Sequence, residues 1–521
     1  MRKAKACAAC RERRRRCENS ASGSPCTFCT ARGLRCTLAR LTGDATNVEH
    51  GLSPSSDAVT RRSSTPLKQG IQSSQSPARS LCAELVQLYF DYVHDQFHSL
   101  FHQPSFEKDM VRGKAPRILL YGMMALSARF SKNTTFCDTD PRIRGNAYAK
   151  ECTRLLDWND ISLTTIQACV LLGAIAITEG KSAIENIYYA MACRMAQLLD
   201  LPNCKTDSRV EREVNIRTWW SLCMIDVWSS TGVRLPRLLA PRKNVPLPMD
   251  EVVFLQLSRD FGFDDVIQTN QRSSLLAEMV RLNHILQQIN DFNIRVAESK
   301  LDAIDILSDV EHLSSQLDGW LDELPDHIRD TRENLERYSA MGLGRMFVAI
   351  YLGYYHFGQM LFYRFLHEDL ESTSIRNRRY ANKCKEHAGR LCDIVYSSET
   401  VPDCDAKYNM VGHVLVIAST VQIHNLLFES NEKNVTLAKM RLEKNFCIIT
   451  QLCALWPTLD VCMNRLMAFH KACRESADTS FRMDQWMVRF LVEFATPVTD
   501  KTSHESDGGH WSLAELGIPS D

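Results

Sequence analysis

Residues 5–36 read KACAACRERRRRCENSASGSPCTFCTARGLRC, and their cysteines repeat one register: Cys7-x2-Cys10-x6-Cys17, then Cys26-x2-Cys29-x6-Cys36. Each half offers two thiolates on one tight turn and a third further along, a donor set that suits a tetrahedral, sulfur-preferring metal. Two four-coordinate zinc ions need more positions than six cysteines fill singly, so the count closes if Cys7 and Cys26, the first cysteine of each half, each bridge both metals. Thiolates in that excess over the metal charge call for basic neighbours. Arg11, Arg13, Arg14, Arg15 and Arg16 lie between Cys10 and Cys17, where they meet the need and still project outward.

The six cysteines, Pro25 before the fourth of them, and the run Arg11-Glu12-Arg13-Arg14-Arg15-Arg16 resemble the fungal zinc binuclear cluster family, the Zn2Cys6 DNA-binding domains. The resemblance implies two Zn²⁺ ions, double-stranded DNA as partner, and a first helix that enters the major groove to read a CGG-type triplet. It places Arg13 and Arg14 where the family's base-contacting lysines sit, and gives phosphate contacts to Arg11, Arg15, Arg16, Arg32 and Arg35. Arginine at the reading positions departs from the commoner lysine, and a guanidinium grips guanine O6 and N7 in a bidentate way.

Two plainer readings compete. Six cysteines could form a disulfide framework, but no apolar signal segment precedes them in a sequence that opens MRKAKAC, which favours a reducing compartment and therefore metal. The basic run could be a solvated face or a nuclear-import signal, and the cysteine register around it favours nucleic-acid binding.

At 521 residues the chain is expected to hold two or more structured units, and a hydrophobic share of 45% with 24% charged residues describes a globular protein. The formal net charge of zero hides an asymmetry. Residues 1–40 carry eleven Lys/Arg against Glu12 and Glu18, a net plus nine, so with 62 of each sign in the whole chain the remainder carries minus nine. A basic module attached to an acidic body, itself repelling phosphate, fits that division. The fourteen cysteines from Cys82 to Cys473 stand singly with no repeated ligand spacing and read as buried thiols. No uninterrupted apolar run reaches eighteen residues, so no membrane partner is expected.

Residues 41–80 are rich in Ser, Thr, Pro and Gly and read as a flexible linker; Gly43, Gly51 and Pro54 interrupt the weak heptad of Leu38, Leu41, Ala45, Val48 and Leu52, leaving homodimer formation open. From Leu81 the texture turns to amphipathic helix, with Leu81, Leu85, Leu88, Tyr89, Tyr92, Val93 and Phe97 at helical spacing. The segments LVQLYFDYVHDQFHSLFHQPSF, ILLYGMMALSARFS, TTIQACVLLGAIAI, IYYAMACRMAQLLDLP and RTWWSLCMIDVWSSTGVRLPRLLAPRKNVPLP resemble, in their order, the fungal-specific transcription factor domain, the middle homology region, over residues 81–300. In the last segment Arg217, Trp219, Trp220, Asp226 and the turn Val245-Pro246-Leu247-Pro248 carry the match. His94, His98 and His102 stand four apart and would share a helix face as metal ligands might, although the resemblance assigns them a helix-end or packing role.

Helical patterns continue through 275–293, 307–325, 347–366, 380–396, 411–428, 437–455 and 486–494, with no Val/Ile/Thr-rich alternation between them. The fold class expected is all-α: a small N-terminal cluster over 1–40, the linker, the middle homology domain, a helical C-terminal part of the body over 301–496, and an acidic flexible tail over 497–521. In Phe347–Leu366, Tyr351, Tyr354, Tyr355, Phe357 and Tyr363 could line a small-molecule pocket, with core packing the favoured role. Trp511, Leu513 and Leu516 among acidic residues in the tail fit an activation segment or a frayed end equally.

Catalytic groupings are missing: no G-x-S-x-G, H-E-x-x-H, G-x-x-x-x-G-K-[ST] or post-strand G-x-G-x-x-G occurs, so no enzyme is expected. The resemblances imply a nuclear, zinc-dependent, sequence-specific regulator of RNA polymerase II genes in one metabolic or secondary-metabolite pathway. The alternatives are a DNA-binding repressor or adaptor without an activation function of its own, or an enzyme housed in the helical body. A small-molecule effector or co-regulator for the body stays open.

Overall fold

The computed structural model describes residues 17, 26–31 and 78–501, the last span without 97, 241, 243, 259–273, 368–373, 495 and 499–500. The chain divides into two units, residues 1–74 and 75–521. In the first unit a short helix, α1 (Thr27–Ala31), starts directly after Cys26. The Cys26 carbonyl accepts from the Thr30 backbone N–H at 3.0 Å and from the Thr30 hydroxyl at 3.1 Å, so a side chain reinforces the first turn.

The second unit is built of helices, and no strand occurs among its described residues; a single isolated bridge joins His94 and His98. In chain order they are α2 (Arg79–Tyr92), α3 (Gln103–Val111), α4 (Arg117–Ser127), α5 (Asn146–Leu155), α6 (Leu163–Thr178), α7 (Ser182–Leu198), α8 (Arg209–Gly232), α9 (Glu251–Gln256) and α10 (Leu275–Ala297). Then follow α11 (Ala303–Glu323), α12 (Arg332–Ala340), α13 (Gly344–Phe362), α14 (Ile375–Ser398), α15 (Met410–Phe428), α16 (Glu432–Cys453), α17 (Thr458–Glu475), α18 (Ala477–Ser480) and α19 (Gln485–Val492). The all-α expectation holds. Helices that follow one another pack as pairs, α6 with α7, α13 with α14 and α15 with α16, and a main hydrophobic core runs from Leu81 to Val492.

Local chemistry sets where these helices begin and end. The Ser162 hydroxyl accepts from the Thr165 N–H at 3.2 Å and opens α6, and Asp160 accepts from both hydroxyls at 2.7 Å. Gly180, at φ 74°, ends it, with the Gly180 and Lys181 N–H groups returning to the carbonyls of Ile177 and Ala176. Between these signals α6 is apolar on every side and buried from Thr165 to Thr178. Helix α15 is long and apolar enough to cross a membrane by length and composition, but most of it is buried inside the unit, His413, Gln422 and His424 included. It is a core helix.

Three expectations change. The helix expected from Leu81 begins at Arg79, so the end of the supposed linker is already helical, and it stops at Tyr92 rather than running on through the histidines. Asp95, at φ 63°, turns the chain away. Helix α17, which the apolar pattern did not announce, buries Leu459, Cys462, Arg465 and Phe469; a stripe containing an arginine and a cysteine reads weakly as hydrophobic. The favoured packing role holds for the tyrosines of α13 and for Tyr363 just after it: the hydroxyls of Tyr351, Tyr355 and Tyr363 donate to Ile328 O, Asp330 and Thr420 at 2.6, 2.5 and 2.8 Å, and Tyr354 stacks on Trp320 at 5.1 Å. Of the expected linker and tail, only 78–80, 497–498 and 501 lie within the described residues.

The α6–α7 contact depends on Gly173. A Cβ there would stand 2.2 Å from a ring carbon of the buried Tyr189. Gly173→Ala is therefore expected to destabilise the protein by about 1–3 kcal/mol through overpacking, despite the gain in helix propensity, and urea denaturation measures it.

Candidate functional site

The metal-site candidates are described at three positions. Cys26 and Cys29 are fully buried, one at the head of α1 and one a turn into it, and Cys17 is half-buried. Two thiols withdrawn from water, one just before a five-residue helix and one on it, fit a donor set for a thiophilic metal. Cys7, Cys10, Cys36 and the arginines at 11, 13, 14, 15, 16, 32 and 35 lie outside the described residues.

In the second unit the motif residues of α8 converge on one corner. The buried Arg217 Nε donates to Glu213 Oε1 at 2.9 Å, its Nη2 donates to Met249 O at 2.6 Å and lies 3.6 Å from Glu251 Oε1, and its guanidinium lies over the Phe254 ring at 4.2 Å. Glu213 Oε1 also accepts from the Met249 N–H at 2.9 Å. Glu251 then turns to the N-terminus of α10, accepting from Ser274 Oγ at 2.6 Å and from the N–H groups of Leu275 and Leu276 at 2.9 and 3.2 Å. Burial pushes both carboxyl groups up, and Arg217 pulls them back.

Trp220 Nε1 donates to Pro246 O at 2.9 Å, which seats the Val245–Pro248 turn against α8. Asp226 Oδ2 accepts from the N–H groups of Leu238 and Leu239 at 2.7 and 2.8 Å, and Oδ1 from Ser230 Oγ at 2.9 Å. Arg242 covers the buried Trp219 at 4.7 Å. Every motif residue singled out in this segment thus fastens the crossing from α8 to α10.

The three histidines also prove structural. His94 Nε2 accepts from the N–H groups of Leu100 and Phe101 at 3.0 and 3.1 Å. His98 pairs with the Tyr89 hydroxyl at 2.9 Å, and burial lowers it to about 3. His102 Nε2 lies 2.9 Å from Phe254 O, which can only accept, so Nδ1 is left to take the Ser105 hydroxyl at 2.7 Å. A further buried cation, Arg465 of α17, was not picked out by sequence reasoning. It caps the C-terminal end of α19 through the carbonyls of Phe490, Glu493 and Thr496.

Comparison with known proteins identifies a fungal Zn(2)-Cys(6) binuclear cluster domain over residues 5–44 and a fungal specific transcription factor domain over residues 86–322. The first match contains six cysteines, the candidates named above. Among relatives, the nitrogen assimilation transcription factor nit-4 of Neurospora crassa is 25% identical over 393 residues, covering 70% of this chain and 35% of that protein. An uncharacterised transcriptional regulatory protein of Schizosaccharomyces pombe is 25% identical over 335 residues, covering 58% of this chain and 33% of the relative. A second such protein from that yeast is 21% identical over 485 residues, covering 82% and 57%. The chain therefore spans between about a third and little more than half of these relatives' lengths. No solved structure matches it.

The Arg217 corner sets a sharp expectation. Arg217→Met leaves Glu213 and Glu251 buried without their counter-charge and should cost about 3–5 kcal/mol at neutral pH. Carboxyl groups whose folded pKa lies above the unfolded value stabilise below that value and lose the contribution as pH rises, so the deficit should shrink as pH falls toward 4.5. Adding Glu213→Gln should recover part of it; denaturant midpoints of the single and double variants across pH test both.

Proposed function

Because the chain belongs to the fungal Zn(2)-Cys(6) transcription factors, we propose that it is a nuclear, sequence-specific DNA-binding regulator of RNA polymerase II genes, reading CGG-type triplets for one metabolic pathway. The observation that carries the proposal is the doubled Cys-x2-Cys-x6-Cys register inside residues 5–44, with Cys26 buried just before α1, Cys29 buried on it, and five arginines between the second and third cysteines. Cys7, Cys10, Cys17, Cys26, Cys29 and Cys36 are the proposed ligands. Zinc supplies the folding energy that so small a unit cannot draw from apolar burial.

The chain's own residues then divide the recognition. Arg13 and Arg14 contact base edges, which carry the sequence information. Arg11, Arg15, Arg16, Arg32 and Arg35 meet phosphates and fix register, releasing counterions from the duplex. The minus-nine remainder of the chain cannot serve that purpose, since it repels the same phosphates. The helical body, with 81–300 and 301–496 as its two parts, is the regulatory element, and the acidic-hydrophobic tail over 497–521 is its candidate activation segment.

Arg14→Ala should weaken binding to a CGG-containing site by about 1–3 kcal/mol relative to scrambled DNA. Arg35→Ala should weaken both and lower the salt slope by about one. Fluorescence anisotropy across a salt series reads both; equal losses on the two DNAs for Arg14→Ala would exclude base reading by that residue. Zinc chelation should abolish binding to either DNA while leaving the body's helical circular dichroism in place.

A further inference from the structure

Across α5, α6 and α7 runs an open groove of about 640 Å³, with Ile143, Ala149, Ile184, Tyr188 and Pro457 among its walls. Its apolar surface continues past the rim. Ile143, Trp158, Ile184 and Ile187 are 54, 49, 44 and 55% exposed, Ile187 lies about one turn along α7 from Ile184, and Trp158 stacks on the Tyr188 ring at 6.3 Å. A grouped apolar surface of this kind marks a place where another segment docks.

The charges around the groove choose the occupant. Arg142, Lys150 and Lys181 line it against a single carboxylate, Glu179. Arg142 pairs with Asp460 and Lys181 with Glu179, but both pairs stand at the surface, where such contacts hold weakly. Lys150 is exposed, and no carboxylate among the described residues pairs with it. This basic rim belongs to the part of the chain, outside residues 1–40, whose net charge is minus nine.

Residues 502–521, TSHESDGGHWSLAELGIPSD, have the complementary composition: Glu505, Asp507, Glu515 and Asp521 with no Lys or Arg, and Trp511, Leu513, Leu516 and Ile518 as apolar anchors. They lie outside the described residues. Lys501, just before them, donates from Nζ to Thr479 O at 2.9 Å and lies 3.0 Å from Asp484. Helix α17 starts just after Pro457 and ends four residues before Thr479, so its 18 residues, about 27 Å long, separate the groove from Lys501. The 10 to 15 residues from Lys501 to Trp511, Leu513 and Leu516 extend to about 33–50 Å, enough to cover that length. Other occupants fit less well. A second copy would set like charge against like, DNA would meet an apolar wall, and residues 41–77 hold balanced charge and no aromatic residue. The groove nearer Lys501, between α10 and α19, has its own cations matched, Arg237 by Asp291 and Arg234 by Glu493.

We propose that the groove across α5, α6 and α7 seats the chain's own residues 502–521, with Trp511, Leu513 and Leu516 against Ile143, Ile184 and Tyr188 and the carboxylates against Lys150 and its basic neighbours. The seated segment ties the residues past α19 back to helices inside the family match. It requires neither DNA reading by the cluster nor an activation role for the segment, and the proposals fail separately.

Carbodiimide treatment of the full-length zinc-loaded protein joins a lysine amine to a carboxylate in contact with it, and peptide mass spectrometry reads the links. Lys150 or Lys181 should join Glu505, Asp507, Glu515 or Asp521 at least fivefold more often than the exposed Lys114 or Lys205 does. In a mixture of ¹⁴N and ¹⁵N chains these links should form within one chain. Ile184→Asp with Ile187→Asp, at exposed positions, should lower the yield at least fivefold while the helical circular dichroism stays that of the parent, and Trp511→Ala with Leu513→Ala and Leu516→Ala should do the same. Absent links, links spread equally over the control lysines, or links formed only between differently labelled chains overturn the proposal with the unaltered protein alone. An undiminished yield in either folded variant overturns it as well.

Discussion

A buried arginine flanked by two buried carboxylates is the constraint on which the helical body turns. A buried guanidinium needs counter-charge and acceptors, which Glu213 and Glu251 bring to Arg217, and Arg217 in turn pulls back the upward shift that burial imposes on both carboxyl groups. Their mutual need places three segments at once: α8, which carries Arg217 and Glu213, the 245–250 crossing, held through both backbone groups of Met249, and the start of α10, whose free N–H groups Glu251 receives. Hydrophobic burial supplies most of the driving force for folding, but it is non-directional. The charged corner is directional, and it selects one crossing among the packings an apolar core would tolerate.

The sequence was most legible where an apolar run had both ends marked. Helix α6 shows this: the run TTIQACVLLGAIAI stood out as a segment by resemblance, and the structure sets its ends at Ser162 and Gly180. Helix α11 behaves likewise, with Asp302 accepting from the N–H groups of Ile304 and Asp305 at its start and Val310, Leu313, Leu317 and Trp320 on its inner face. Pattern failed where tertiary contacts override it. Nothing local says that the helical spacing from Leu81 to Phe97 stops at Tyr92, because the turn at Asp95 is stabilised by His94, whose ring receives N–H groups from Leu100 and Phe101. Helix α17 was hidden because its inner stripe contains Arg465, whose guanidinium is met by carbonyls at and just beyond the end of α19 and by the Phe490 ring, more than twenty residues away.

The candidate sites were legible to different degrees for a related reason. A metal site is written in spacing, because ligands must sit at fixed intervals along a short chain, and the doubled cysteine triplet is visible without coordinates. The residues Arg217, Trp219, Trp220 and Asp226 could be singled out by resemblance, yet their work appears only with geometry: each reaches a partner well beyond its own helical turn, from Leu238 for Asp226 to Phe254 for Arg217, besides the one-turn contacts of Arg217 with Glu213 and Asp226 with Ser230 on α8. The half-open, mainly apolar pocket between α8, α10, α13 and α15 was not legible at all. It arises from a side chain that is missing at Gly353 and from four helices widely separated in sequence, and no local pattern records such a coincidence.

The two parts of the body share one interior. Helix α10, inside the family match, packs on α13, beyond it, and α19 near the end of the described residues returns to contact both α8 and α10. Asn293 of α10 donates to Met360 O of α13 at 3.0 Å, and Arg234, just after α8, lies 3.3 Å from Glu493, just after α19. Close-packed interiors transmit displacement rather than absorb it. A shift of α13 or α15 against their neighbours must therefore be felt at α8 and α10, and through Glu251 at the charged corner. Residue 322 ends a sequence match without ending a mechanical unit, so regulation in this body is to be sought in the relative position of helices across that line.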